Sequence, residues 1–183
     1  MKTFSLILSS FLLIILSSCS EPEANTDTAA AETSVGSGQS AVKDDVSSPN
    51  IVQVAISSKD HTTLVAAVQA AELVDVLSNA GPFTVFAPTN AAFALLPEGT
   101  VEGLLAPEKK SDLSDILQYH VSVAVYKAEN LQDGQILGQV NGGNIKITKK
   151  EDGIYVNDNA KIIASVPASN GIIHLIDHVL LPK

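Results

Sequence analysis

Four histidines and a single cysteine are the side chains of this 183-residue chain best suited to metal or nucleophilic chemistry. His174 and His178 stand four apart, the spacing that puts two ligands on one helix face in zinc sites of the H-E-x-x-H type. Leu175 fills the position of the general-base Glu, and Ile172–Leu181 is β-rich and bounded by Asn170-Gly171 and Pro182, which reads as a strand. Residues four apart on a strand lie about 13 Å apart at their Cα atoms, so no shared metal is expected. His174 is expected to be buried and bonded to the backbone, Asp177 to project to the opposite face, His178 to be exposed and His61 to be a solvent-facing turn residue. No G-x-S-x-G nucleophile elbow and no glycine-rich phosphate loop is present, so no catalytic residue and no cofactor is expected.

The elements that would position these groups change character along the chain. His61–Asn79 carries apolar residues at helical spacing, with Thr62 or Thr63 as N-cap and Gly81-Pro82 as the stop. Phe83–Ala87 is a short β-prone run, and Asn90–Leu96 returns to helical spacing behind Thr89 or Asn90 as a cap. Asp112–Gln118 predicts another helix, on which Leu113, Ile116, Leu117 and His120 follow i, i+3, i+4, i+7. From Val121 the pattern is mostly stranded, with runs at Val121–Val125, Asn144–Lys149, Gly153–Asn157, Ala160–Ala164 and Ile172–Leu181. Helices first and strands later, without regular alternation, predict an α+β domain. Asn170-Gly171 reads as a turn feeding a strand that is apolar on both faces, as a covered central strand requires. Phe83, Phe86 and Phe93 are expected to form one core patch.

The N-terminus speaks for export. Met1-Lys2 precedes an apolar run from Phe4 to Leu16, about 13 residues where a membrane span needs roughly 20, so residues 1–18 read as a secretory signal peptide. Leu16-Ser17-Ser18-Cys19 resembles the lipobox of bacterial lipoproteins, in which the cysteine is lipidated and becomes the first residue. That resemblance implies membrane attachment through Cys19, with the diacylglyceryl group supplying the two chains that stable anchoring takes. Residues 19–50, rich in Ala, Ser, Thr and acids and without an aromatic residue, are expected to be a disordered acidic linker, and residues 51–183 the folded domain. Ser20 after the cysteine is compatible with an outer membrane, and Glu21 and Glu23 with surface display, so the expected place is the cell envelope, outer membrane or surface rather than inner membrane. The chain has no Arg, and residues 19–183 hold 10 Lys against 20 acids. A basic stripe for nucleic acid is therefore missing, and nucleic acid is excluded as a partner. Oligomeric state leaves no mark on the sequence.

Three motifs carry a family resemblance across residues 51–183. Gly81-Pro82-Phe83-Thr84-Val85-Phe86-Ala87-Pro88-Thr89-Asn90-Ala91-Ala92-Phe93 is similar to the first signature segment of fasciclin domains. Asn170-Gly171-Ile172-Ile173-His174-Leu175-Ile176-Asp177 resembles the second, and Tyr119-His120-Val121 the central tyrosine–histidine motif. Asn90 departs from the pattern, where an acidic residue is common, yet it can still cap a helix. The resemblance implies a wedge with a β-sandwich-like core flanked by short helices. It also implies a non-catalytic role in cell adhesion or envelope recognition through a protein or glycan partner. By the same resemblance, Asp115, Ile116, Tyr119 and His120 are candidates for partner binding; read bottom-up, Tyr119 and His120 close a helix end and pack into the core. An integrin-type Arg-Gly-Asp loop is impossible without Arg. The rival reading is a small envelope hydrolase or a ligand carrier that uses the domain's histidines.

Overall fold

Helix α1, Ile51–Ser57, begins where Asn50 and Gln53 satisfy each other reciprocally. The Asn50 side chain accepts from the Gln53 N–H at 2.9 Å, and the Gln53 side chain accepts from the Asn50 N–H at 2.8 Å. This capping box turns Ile-Val-Gln-Val, which by composition favours a strand, into a helix. The computed structural model describes residues 48–97 and 99–182. The signal peptide, Cys19 and most of the acidic linker lie outside the described residues. Pro49 and Asn50, at the linker's expected end, are already engaged, since the Pro49 carbonyl accepts from the Ser169 N–H at 3.0 Å.

The helix expected over His61–Asn79 is two helices. After a 3-10 turn at Lys59–His61 come α2, Thr62–Ala70, and α3, Val74–Ser78. Glu72 between them sits in the left-handed region at φ 57°. Around it, Glu72 N–H donates to Gln69 O at 3.0 Å and Leu73 N–H to Val68 O at 3.1 Å, the paired bonds of a Schellman closure. Glycine usually holds that position, so the break left no sign in the sequence. Neither Thr62 nor Thr63 caps α2, because the helix starts at Thr62 and its first amides are served from elsewhere.

The rest of the helical layer comprises α4, Asn90–Ala94, α5, Thr100–Leu104, and α6, Lys110–Tyr119. The strands are β1, Phe83–Pro88, β2, Val121–Ser122, β3, Ile136–Gly138, β4, Asn144–Lys150, β5, Gly153–Val156, β6, Ala160–Ala168, and β7, Gly171–Ile176. They form one seven-stranded sheet in the order β2-β1-β7-β6-β5-β4-β3. Among the described strands only β1 and β7 run parallel; they pair from Phe83↔Gly171 to Pro88↔Ile176. The sheet curls until its two edge regions meet, where the Val140 N–H just past β3 donates to the Val121 carbonyl of β2 at 2.8 Å. The result is an α+β domain with a nearly barrel-like mixed sheet flanked by short helices, consistent with the expected α+β wedge.

Strand parity then sorts the core into two parts. Val85, Ala87 and Ile173 face the helices and pack with Ile51, Val52, Leu64, Leu77, Leu113 and Leu117. Phe86 and Ile176 face the other way, into the curled sheet, with Leu131, Leu137, Ile145, Ile147 and Val156. The three phenylalanines are therefore not one patch. Phe86 is fully buried inside the sheet, whereas Phe83 and Phe93 lie partly buried on the helix side. β7 is central, paired on both edges, and presents apolar side chains to both cores. That explains its unbroken apolar run.

Candidate functional site

The motif residues run along β1 and β7 and close α6, and the polar ones among them tie the backbone. Asn170 is the densest tie. Its Oδ1 accepts from the Ile51 N–H at 2.9 Å, and its Nδ2 donates to the carbonyls of Leu77 and Asn79, both at 2.8 Å. Its own carbonyl accepts from the Phe83 N–H at 3.1 Å. One side chain thus fixes the start of α1 and the end of α3 against the turn into β7. The adjacent Gly171 is needed for closeness rather than for the turn: a Cβ there would lie 2.0 Å from the Phe83 carbonyl oxygen.

Tyr119 and His120 end α6 and are both buried. The Tyr119 hydroxyl donates to Asn144 O at 2.9 Å and accepts from Asn157 Nδ2 at 3.1 Å, joining α6 to β4 and the turn after β5. Its ring lies against Gly143, where a Cβ would come within 2.8 Å. His120 Nδ1 donates to Ile116 O at 2.8 Å, and Nε2 accepts from the Leu180 N–H at 3.0 Å. Both ring nitrogens are used only if the imidazole is neutral, and burial pushes its pKa down to about 4 against the weaker raising effect of the Ile116 carbonyl. Of the four candidate partner-binding residues, Asp115 is exposed and Ile116 half-buried. Asp115 Oδ1 accepts from Asn141 Nδ2 at 3.3 Å. Of the four, Asp115 thus reaches solvent and Ile116 does so in part, whereas Tyr119 and His120 do not.

His174 is fully buried and bonded to the backbone, as its strand position predicted. Nε2 donates to Tyr126 O at 2.7 Å, and Nδ1 accepts from the Ser165 hydroxyl at 2.7 Å. Ser165 faces His174 in register across β6 and β7. This serine–histidine pair was not foreseen in the sequence, since the two residues lie nine apart and meet only through strand pairing. The hydroxyl sits mid-strand rather than on a strained turn, and a backbone carbonyl stands where a triad has a carboxylate. Burial also lowers the His174 pKa, so the imidazole is held neutral. The arrangement is a tether between strands, reinforced by the Phe86 ring 5.5 Å away, centroid to centroid.

Two other histidines take different positions from those expected or refine them. His61 is buried rather than solvent-facing. Its turn is pinned by Asn90, whose Nδ2 donates to Lys59 O at 3.0 Å and whose Oδ1 accepts from the Thr63 N–H at 3.1 Å. Asn90 therefore caps α2 from a distance, while Thr89 caps α4 by accepting from the Ala92 N–H at 3.3 Å. His61 Nδ1 bonds Ser58 Oγ at 2.8 Å and burial lowers its pKa, with Asp60 pulling the other way. His178 is partly exposed and pairs with Asp177 at 2.8 Å. Asp177 does not reach His174; its Oδ1 instead also accepts from the Lys161 N–H at 2.7 Å. Among the described residues, no three His, Cys, Asp or Glu side chains converge as a metal site would require.

Comparison with known proteins matches this architecture. The family model described as Fasciclin domain covers residues 59–182. The chain is 50% identical over 136 residues to Protein sll1483 of Synechocystis, spanning 74% of this chain and 75% of that one. It is 33% identical over 137 residues to Immunogenic protein MPB70 of Mycobacterium bovis, over 72% of this chain and 68% of that one. Transforming growth factor-beta-induced protein ig-h3 of rabbit is 33% identical over 135 residues, which is 74% of this chain but only 20% of that larger protein. Among solved structures, a FAS1 domain pair from the insect cell adhesion molecule fasciclin I superposes with a TM-score of 0.65 at 19% identity, covering 73% of this chain and 51% of that one. Family model, relatives and fold agree, and the chain belongs to the fasciclin domain family.

Proposed function

We propose that the protein is a membrane-anchored, non-catalytic recognition module that contributes to cell adhesion or envelope organisation by binding a protein or a glycan. The observation that carries this reading is membership of the fasciclin family, supported by how the motif side chains are spent. His120 and His174 have both ring nitrogens committed within the fold, which leaves the hydrolase reading without a free base at either motif histidine. Anchoring through Cys19 would hold the domain at the envelope, and the surface offered to a partner would centre on Asp115 and Ile116. Tyr119 and His120 would act beneath that surface by fixing the end of α6.

The test uses the mature chain from residue 19 with Cys19 replaced by Ser, immobilised and presented with isolated envelopes, matrix proteins and a glycan array. Saturable binding to one class, lost at least tenfold in an Asp115→Ala/Ile116→Ala variant that still unfolds cooperatively above the assay temperature, supports the reading. Binding that is absent throughout, or that survives the double substitution undiminished, removes the support for adhesion or for this surface respectively. Lipid attachment is read separately: metabolic labelling with a radioactive fatty acid should mark the full-length protein and be lost in Cys19→Ala. Labelling that persists in that variant would refute the anchor.

A further inference from the structure

Between the helical layer and the sheet lies a cavity of about 220 Å³. Its inner end is formed by the buried side chains of Leu64, Leu117, Val85 and Ile173. Its outer end is formed by Ile56 of α1, Val76 of α3, Val123 after β2 and Val140 after β3, which are 57%, 52%, 65% and 43% exposed. Four elements distant in sequence thus present an apolar side chain to solvent around one opening. Close-packed interiors leave few voids larger than a water molecule, and an apolar cavity of about 150 Å³ stays dry and accepts benzene. This cavity is larger than that, and it is open.

Charge selects the occupant. Among the described residues, no Asp, Glu, Lys or Arg lines the space, and the polar ones that do are Gln69, Gln118 and His120. His120 offers nothing to a ligand, because both its nitrogens are already bonded to the backbone. Residues 51–183 carry 9 Lys against 14 acids, so the domain as a whole disfavours an anionic ligand. A fatty acid or an anionic lipid headgroup would find no cation among the described lining residues and would bring its charge toward a negative body. An uncharged hydrocarbon chain meets neither cost.

We propose that this cavity is a binding site for a neutral aliphatic chain, of which about eight to ten carbons fit inside, scaling from the benzene-sized cavity. The exposed rim of Ile56, Val76, Val123 and Val140 covers the part of the chain that emerges. Neither Asp115 nor Ile116 lines the cavity, although His120, bonded to the Ile116 carbonyl, does, so the ligand site and the partner surface are neighbours that the variants below probe apart.

The experiment uses the mature chain and the neutral fluorophore N-phenyl-1-naphthylamine, with n-decanol as competitor and decanoate at pH 8 as its charged counterpart. The fluorophore should brighten saturably, decanol should displace it, and decanoate should compete at least tenfold more weakly. Val65→Phe places a larger side chain in the lining and should weaken both the fluorophore and decanol at least tenfold. Val123→Glu, at a rim position that is 65% exposed, should weaken decanol three- to tenfold with an unchanged melting temperature. Fluorophore that is not bound, decanoate that competes as well as decanol, or decanol binding that is equal in all three proteins would each overturn the assignment.

Discussion

Replacing Asn170 by alanine removes three hydrogen bonds from the point where the helical layer joins the sheet. The bonds run to Ile51 N–H, Leu77 O and Asn79 O at 2.8–2.9 Å. The Asn79 bond is exposed, so water can replace it, whereas the other two are partly buried and lose a partner that water does not readily restore. A net hydrogen bond contributes about 0.5–1.5 kcal/mol, and an orphaned buried group costs about 1–3 kcal/mol. The loss should therefore be roughly 3 kcal/mol, which for a domain of this size lowers the melting temperature by roughly 10 °C. Asn170→Asp keeps the acceptor for Ile51 but turns an oxygen toward two carbonyl oxygens, so at pH 7 it should be at least as destabilised as the alanine variant. Urea unfolding of the mature chain, with the midpoint moving and the slope constant, measures the effect. An alanine variant within about 0.5 kcal/mol of wild type, or an aspartate variant of wild-type stability, would refute the reasoning that Asn170 is a knot rather than a turn residue.

Three further outcomes follow from the same geometry. His120 is neutral in the fold, with its pKa held near about 4, while the unfolded chain keeps the ordinary 6.5. The unfolded state thus binds the extra proton between those values, and stability falls as pH drops through that window, by about 3 kcal/mol in total from this residue. His61 and His174 shift in the same direction and add to the loss; His120→Gln should flatten the pH dependence of the urea midpoint between pH 6.5 and 4.5, and an unaltered slope would count against it. Gly171→Ala drives a Cβ to within 2.0 Å of Phe83 O and should cost at least about 4 kcal/mol, whereas Gly103→Ala in α5, where a Cβ meets nothing within 4 Å, should gain about 0.5–1 kcal/mol; equal midpoints would show the β1–β7 approach to be adjustable. Thr84→Val deletes the hydroxyl that donates to Ala124 O at 2.7 Å and accepts from the Tyr126 N–H at 2.9 Å; a loss of about 2 kcal/mol is expected, and an unchanged midpoint in urea would contradict it.

Thr84 also explains why the sequence overstated the strand beginning at Val121. Val121, Val123 and Val125 alternate as a strand should, yet pairing stops at Ser122. The Thr84 side chain takes the Ala124 carbonyl and the Tyr126 amide, so the chain leaves the ladder and Val123 is left exposed. β1, β7 and α6 were legible because their apolar residues recur at periods that their own neighbours enforce. α1 was not, because its stability rests on a local box at Asn50 and on Asn170, 119 residues away from Ile51. The split of the first long helical stretch was hidden for a similar reason, a left-handed Glu72 where glycine would have announced it. For the candidate site, the buried, backbone-bonded state of His174 could be read from its strand. The Ser165 partner could not, because only the β6–β7 register brings it there. His61 was misplaced because a polar residue before a helix usually faces water, while here Asn90 folds its turn inward.

The proposed recognition module would hold its fold with the motif residues and meet its partner through Asp115 and Ile116. The most direct measurement is adhesion of beads coated with the mature chain to isolated cell envelopes, compared among wild type, Asp115→Ala/Ile116→Ala and an uncoated control. Wild-type beads should adhere saturably and the double variant, shown by its cooperative melt to be folded at the assay temperature, should fall at least tenfold toward the control. Wild-type beads that adhere no better than uncoated ones, or a double variant that adheres like wild type, would contradict it.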